Sequence, residues 1–282
     1  MARTHARANG DGGFRLLAFS ADPGYAAQAA AAGVDGIVVD WERRDKARRQ
    51  ADADTEINQD TPEDLRAVRS MVACRVLCRI DGPGSHTAEQ LEEAITCGAD
   101  EILLPMVRST AEVAHALQIV AGRADLGILV ETSDAVRRVD ELAALPIAHA
   151  YVGLNDLAIE RGTSSIFGAL VDGTVAAVCE SLRRAGVPCG FGGLTLPDRG
   201  APVPCRLLIG EMARLGCSFS FLRRSFRRDT QGSDLAPALR AVRDAIERAG
   251  ARSELDTARD VRDLAASVAS WDVDGAGLSA GA

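Results

Sequence analysis

Lysine is all but missing: Lys46 is the single one among 282 residues, so arginine carries nearly all the positive charge. Lys46 lies in "ERRDKARRQ", a charged run with no apolar pocket in sight, so Schiff-base chemistry, which needs a desolvated lysine, has no support. No apolar run approaches the ~20 residues that a membrane helix takes, and the opening "MARTHARANGDGG" has no hydrophobic signal core. A basic face is lacking too. With a net charge of −8 and a pI near 5.1, neither a nucleic-acid nor a membrane partner is expected. No Gly-x-Gly-x-x-Gly follows the first apolar run and no Gly-x-Ser-x-Gly elbow occurs, which removes motif support for dinucleotide binding and serine hydrolysis. The seven cysteines form no Cys-x-x-Cys pair and sit mostly in apolar runs. That odd, scattered set points to a reducing cytoplasmic location, with neither a disulfide framework nor structural zinc.

What is present is alternation. Short β-rich runs at 14–20, 35–40, 74–80, 100–106, 126–131, 149–153, 188–193 and 217–223 are separated by amphipathic stretches such as "TPEDLRAVRSMV" and "GTVAAVCESLRRAG". Several of these stretches open on Ser, Thr or Asp and many close on Gly, the start and stop signals of helices. Eight strands alternating with helices require parallel pairing, because hairpins cannot absorb the helices between them. The number eight favours an α/β fold of the (β/α)₈ TIM-barrel type, with an open doubly wound sheet as the alternative. The expected organisation is a flexible arm at 1–12, the barrel at 13–250, and an extra C-terminal helix with a flexible tail at 251–282.

In such a barrel chemistry collects where strands end. Strand 2 ends in Asp40, Trp41, Glu42 and Arg43; strand 3 gives Arg79 and Asp81, with His86 in the following loop. Strand 5 ends in Glu131, strand 6 in Asn155 and Asp156, and strand 8 in Arg223 and Arg224. Glu131 and Asp156, on neighbouring strand ends, suit a hard divalent cation such as Mg²⁺, which takes one or two carboxylates and leaves the rest to water and substrate. Arg79 could grip a substrate carboxylate in a bidentate fork. Asp156 has a plainer reading as the N-cap of the helix that begins at "LAIERG". Thr132 or Ser133 could cap the helix after strand 5, which leaves Glu131 spare.

At these residues the chain resembles the HpcH/HpaI aldolase and citrate lyase β-subunit superfamily. The matching segments are "AAGVDGIVVDWE", "CRIDGPG", "CGADEILLPMVRSTAEV", "ILVETSDAV" and "AYVGLNDLAIERG", in order over roughly residues 14–230. The resemblance implies a metal-dependent barrel. It implies Glu131 and Asp156 as ligands of Mg²⁺ (or Mn²⁺ or Co²⁺), and Arg79 as the group holding the substrate's carboxylate or keto oxygen. Glu42 would stand near the metal's water, and the backbone at Leu154 and Asn155 would face the substrate carboxylate. Pyruvate aldolases of this group carry a histidine after the acidic residue of strand 2; here Arg43 stands there, and His86 is the candidate substitute. Strand 8 departs as well. "FSFLRRSFRRD" places Arg223 and Arg224 where family members have small residues, which suggests a second anionic group on the substrate, or else pairing with a partner subunit.

The expectation is therefore a metal-dependent carbon–carbon lyase or aldolase acting on a small 2-oxo acid. An acyl-CoA lyase or thioesterase is the alternative, and a barrel that has lost catalysis and serves as a scaffold is the alternative of another class. The resemblance also implies a homo-oligomer formed through the C-terminal helix, with Trp271 as anchor.

Overall fold

The structure is a computed structural model describing residues 13–44, 59–163 and 165–279, with side chains as far as 271. The expected arm at 1–12, Lys46 and the last residues of the tail lie outside the described residues. Among the described residues there are nine strands: β1 (Arg15–Phe19), β2 (Gly36–Asp40), β3 (Arg75–Arg79), β4 (Glu101–Leu104), β5 (Asp125–Val130), β6 (His149–Val152), β7 (Cys189–Phe191), β8 (Gly193–Leu194) and β9 (Phe219–Leu222). All pair in parallel, in the order β7-β6-β5-β4-β3-β2-β1-β9-β8.

The two ends of that row are one piece of chain. β7 pairs with β6 and β8 with β9, and only Gly192, at φ +51°, lies between β7 and β8. The expected seventh strand is thus broken in two, which turns eight strands into nine, and the break closes the ring. Ser218 N–H donates to Cys189 O at 3.0 Å, and the Ser220 hydroxyl donates to Gly192 O at 2.5 Å, stitching that seam. The fold is an α/β barrel of the TIM type, nearly closed and surrounded by helices.

Side chains alternate along each strand as the period of two requires. Leu17, Val38, Leu77, Leu103, Leu129, Tyr151, Phe219 and Phe221 point inward and fill the barrel. Their neighbours point outward and form the larger core beneath the helices. Those helices start where side-chain caps begin. Asp22 caps α1 (Pro23–Ala31), and Thr61 and Ser109 form capping boxes on α2 (Pro62–Met71) and α4 (Thr110–Val120), with α3 (Thr87–Thr96) between. The stretch "TSDAVRRVDELAAL" forms two short helices, α5 (Ser133–Arg137) and α6 (Val139–Ala143), because Arg138 leaves the helical region at φ −104°, ψ 14°.

After β6 come α7 (Leu154–Arg161), α8 (Gly168–Val171) and α9 (Thr174–Arg184); α10 (Cys205–Arg214) precedes β9. Then follow α11 (Arg224–Asp229), α12 (Leu235–Gly250) and α13 (Glu254–Ser279). The C-terminal helix α13 lies on its own barrel, against α10 and α8. Leu264 and Val268 are buried there, and Arg252 at its start bonds Gly210 O at 2.7 Å. Among the described residues no helix is long and apolar enough to cross a membrane.

Candidate active site

Asp40 and Arg79 are the last residues of β2 and β3 and stand directly opposite in the register. Their side chains turn into the barrel mouth and meet as a fork: Arg79 Nε donates to Asp40 Oδ1 at 2.8 Å and Nη2 to Oδ2 at 2.7 Å. Glu42 Oε2 lies 3.4 Å from the same Nε, and the Phe19 ring supports the guanidinium with its centroid 4.9 Å from Cζ. Burial pulls the Arg79 pKa down, but the charges of Asp40 and Glu42 outweigh it and hold the pKa above its ordinary value. Arg79 therefore keeps its charge in the mouth. The Nε–Nη2 side of Arg79 is taken by Asp40, which leaves the terminal Nη1–Nη2 edge of the guanidinium.

Glu131 follows β5 directly and is 3% exposed. Its Oε2 accepts the Met106 N–H at 3.1 Å, a bond that Met106 makes from a left-handed backbone at φ +54°. Gly153 makes room from the other side, since a Cβ there would sit 2.3 Å from Glu131 Oε1. Burial raises the Glu131 pKa well above the usual carboxylate range, and the charges of Asp156 and Glu42 raise it further. Asp156, Glu42 and Arg79 thus lie within electrostatic reach of Glu131.

Asp156 is buried and is the third residue of α7. The N-cap is Gly153, which has no side chain to bond with, so the N-cap reading of Asp156 is overturned. Its carboxylate stands in the first helical turn, where the helix dipole favours negative charge. The N–H groups of Leu154 and Asn155, at the first two helical positions, have no partner within the helix.

Not every expected residue joins this cluster. His86 precedes α3 with its side chain 43% exposed, and its Nδ1 lies 3.9 Å from Glu89. It makes no ion pair with the mouth carboxylates. Arg43 is exposed, and its N–H and that of Arg44 donate to Asp81 Oδ1 at 2.7 and 2.8 Å. The strand 8 arginines divide. Arg223 is half-buried, with Cζ 5.9 Å from the Phe167 ring centroid, and among the described residues no carboxylate pairs with it. Burial lowers its pKa, while the nearby Cys205 and Tyr151 side chains raise it slightly. Arg224 is exposed, and Arg227 turns away to Tyr25 and Asp22.

The donor set fits a hard divalent cation. Glu131 and Asp156 are both buried, all-oxygen, and mutually unfavourable as anions until a positive charge stands between them. Three contributors escaped the sequence reading: Asp40 as the holder of Arg79, the Met106 N–H as the holder of Glu131, and Gly153. The first had a signal, since Asp40 and Arg79 both end neighbouring strands. A main-chain bond from a left-handed residue leaves no mark in the sequence.

The sequence model of a family described as HpcH/HpaI aldolase/citrate lyase matches residues 15–187. No curated protein sequence matches the chain. Among solved structures, the HpcH/HpaI aldolase from Desulfitobacterium hafniense DCB-2 superposes with a TM-score of 0.57 at 15% identity, covering 86% of this chain and 95% of that one. RipC from Yersinia pestis gives a TM-score of 0.57 at 15% identity, covering 86% and 97%. Citrate synthase SbnG gives 0.55 at 17% identity, covering 82% and 95%. At such identities these likenesses establish the fold.

Proposed function

The chain belongs to the HpcH/HpaI aldolase/citrate lyase family, and from that premise we propose that it is a metal-dependent carbon–carbon lyase or aldolase acting on a small 2-oxo acid. The observation that carries this reading is the meeting of buried Glu131 and Asp156 with the Arg79–Asp40–Glu42 group at the C-terminal mouth of the barrel. Glu131 and Asp156 are the residues that would hold Mg²⁺, with Mn²⁺ or Co²⁺ as substitutes. When bound, such a cation supplies Lewis-acid stabilisation of the enolate charge that C–C cleavage or formation develops.

The chain's own groups do the rest. Arg79 offers its terminal edge to the substrate's carboxylate or keto oxygen, and Asp40 keeps that edge aimed. The free N–H groups of Leu154 and Asn155 receive an anionic oxygen at the start of α7. Glu42 is the carboxylate placed to hold or move a proton, and it takes precedence over the half-exposed His86. Arg223 is the receptor for a second anionic group on the substrate, since an unpaired guanidinium in a half-buried setting gains most from an anion. The seven free thiols accord with a cytoplasmic location.

The test is a panel of 4-hydroxy-2-oxo acids and malyl-type thioesters given to metal-stripped protein with and without Mg²⁺. The expected outcome is metal-dependent release of a 2-oxo acid, reduced on the order of 10²–10³-fold by Arg79→Ala. Turnover of thioesters alone would move the assignment to the acyl-CoA branch. No turnover of any panel member would leave a binding or scaffold barrel.

A further inference from the structure

Seven scattered cysteines look unrelated along the chain, yet the fold gathers three of them far from the mouth. Cys179 lies on the buried face of α9, Cys189 is the first residue of β7, and Cys217 stands just before β9. Their Sγ atoms all lie within 4.8 Å of one another, and all three are free thiols. Among the described residues this is the one group of three or more His, Cys, Asp or Glu side chains close enough to share a metal ion. From these observations we propose that Cys179, Cys189 and Cys217 form a three-thiolate site for a thiophilic d¹⁰ cation of the Zn²⁺ or Cu⁺ class, at the N-terminal end of the barrel.

The geometry is set by main chain rather than by mobile loops. Cys189 O accepts the Ser218 N–H at 3.0 Å, which fixes the second and third thiols side by side across the seam. Cys217 N–H donates to Met212 O at 2.9 Å, and Cys179 is held by a buried helix face with Val175, Val178 and Leu182. A metal–sulfur bond of about 2.3 Å places three sulfurs about 4 Å apart, so the sulfurs need move by less than about 1 Å to close on an ion. Cys179 and Cys189 are buried and Cys217 is only partly exposed, so the three sulfurs lie in a largely dry setting near the surface. Sulfur donors in an apolar shell select soft ions and reject Mg²⁺. Arg183, within electrostatic reach of Cys189, offsets part of the negative charge that three thiolates bring.

Binding is coordination without redox change. Each thiol loses its proton to solvent as its sulfur–metal bond forms, so loading releases up to three protons per ion. The ion would tie α9 to β7 and to the entry of β9, where the sheet is thinnest, β7 having three residues and β8 two. This cation is separate from the one proposed for the mouth, and the inference stands whatever the enzyme's substrate.

The experiment titrates the reduced, metal-stripped full-length protein with Cd²⁺, following the sulfur-to-cadmium charge-transfer absorbance that carboxylates cannot give. We expect saturation at one equivalent, reversal by excess Zn²⁺ and a raised melting temperature. The absorbance band and its reversal should vanish in Cys217→Ser and persist in Cys74→Ser. Far-UV circular dichroism checks that Cys217→Ser is folded. No saturable band, or the same band in Cys217→Ser, overturns the proposal. Loss of two hydrogens in air with a bond between two of the three sulfurs, and no metal uptake by the reduced protein, overturns it in favour of a redox pair.

Discussion

Arg79 is as useful as its orientation, and Asp40 provides that orientation through two charge-assisted bonds. Asp40→Asn keeps the shape but weakens the fork, so kcat/KM should fall by up to about 10²-fold, as expected when a positioning group shifts by about 1 Å. Steady-state kinetics of Asp40→Asn beside Arg79→Lys check this; an unchanged Asp40→Asn would show that Arg79 is held by other means. Arg223→Gln should raise KM for 2-oxo acids bearing a distal carboxylate or phosphate and leave KM for neutral-tailed ones alone. Equal effects on both would remove Arg223 from substrate binding. Gly153→Ala forces a Cβ onto Glu131 and should destabilise by about 1–3 kcal/mol, read by urea unfolding. The positions of Glu131, Asp156 and Arg79 at or just after strand ends were legible in the sequence, because each follows or ends an apolar run. That Arg223 is half-buried and Arg224 exposed was not, since the two are adjacent in sequence and only the direction of each side chain separates them.

Strands were readable to within a residue or two, because alternation of core-facing and helix-facing side chains writes itself into the pattern. The break in the seventh was hidden: "PCGFGG" reads as one strand, and only ring closure makes Gly192 turn it from β6 to β9. At that seam a Cβ on Gly190 would lie 2.3 Å from the Phe219 carbonyl oxygen, a main-chain atom that cannot rotate away. Gly190→Ala should therefore cost about 3 kcal/mol or prevent folding, as measured by chemical denaturation. At the opposite end of the barrel, β3, β4 and β6 bring Arg75, Glu101 and His149 together. Glu101 Oε2 lies 3.1 Å from Arg75, and Oε1 lies 2.7 Å from His149 Nδ1. Burial raises the Glu101 pKa, but the neighbouring His149 and Arg75 side chains outweigh it and leave the pKa below its ordinary 4.5. A carboxylate depressed on folding stabilises the protein above its unfolded pKa, and that stability is lost as pH falls through the folded value. Melting temperatures recorded from about pH 6 downward should thus fall more steeply for wild type than for Glu101→Gln, with the slopes parting below about 4.5.

On the scale of the whole molecule, α13 packs along its own barrel and yet leaves Trp271 48% exposed. An exposed tryptophan near the end of a docked helix is the feature expected of a contact between copies. We propose a homo-oligomer in which Trp271 lies at the interface; sedimentation should show an assembly that shifts toward monomer in Trp271→Ser, and a monomeric wild type would contradict it. The central claim is that the barrel mouth holds a hard divalent cation on Glu131 and Asp156, and thermal unfolding of the metal-stripped protein with added Mg²⁺, Mn²⁺ or Co²⁺ tests it most directly. Wild type should gain about 2.7 kcal/mol at a hundredfold excess over Kd, and Glu131→Ala and Asp156→Ala should gain nothing. No stabilisation of wild type by any of the three ions, or equal stabilisation of the two variants, would contradict it.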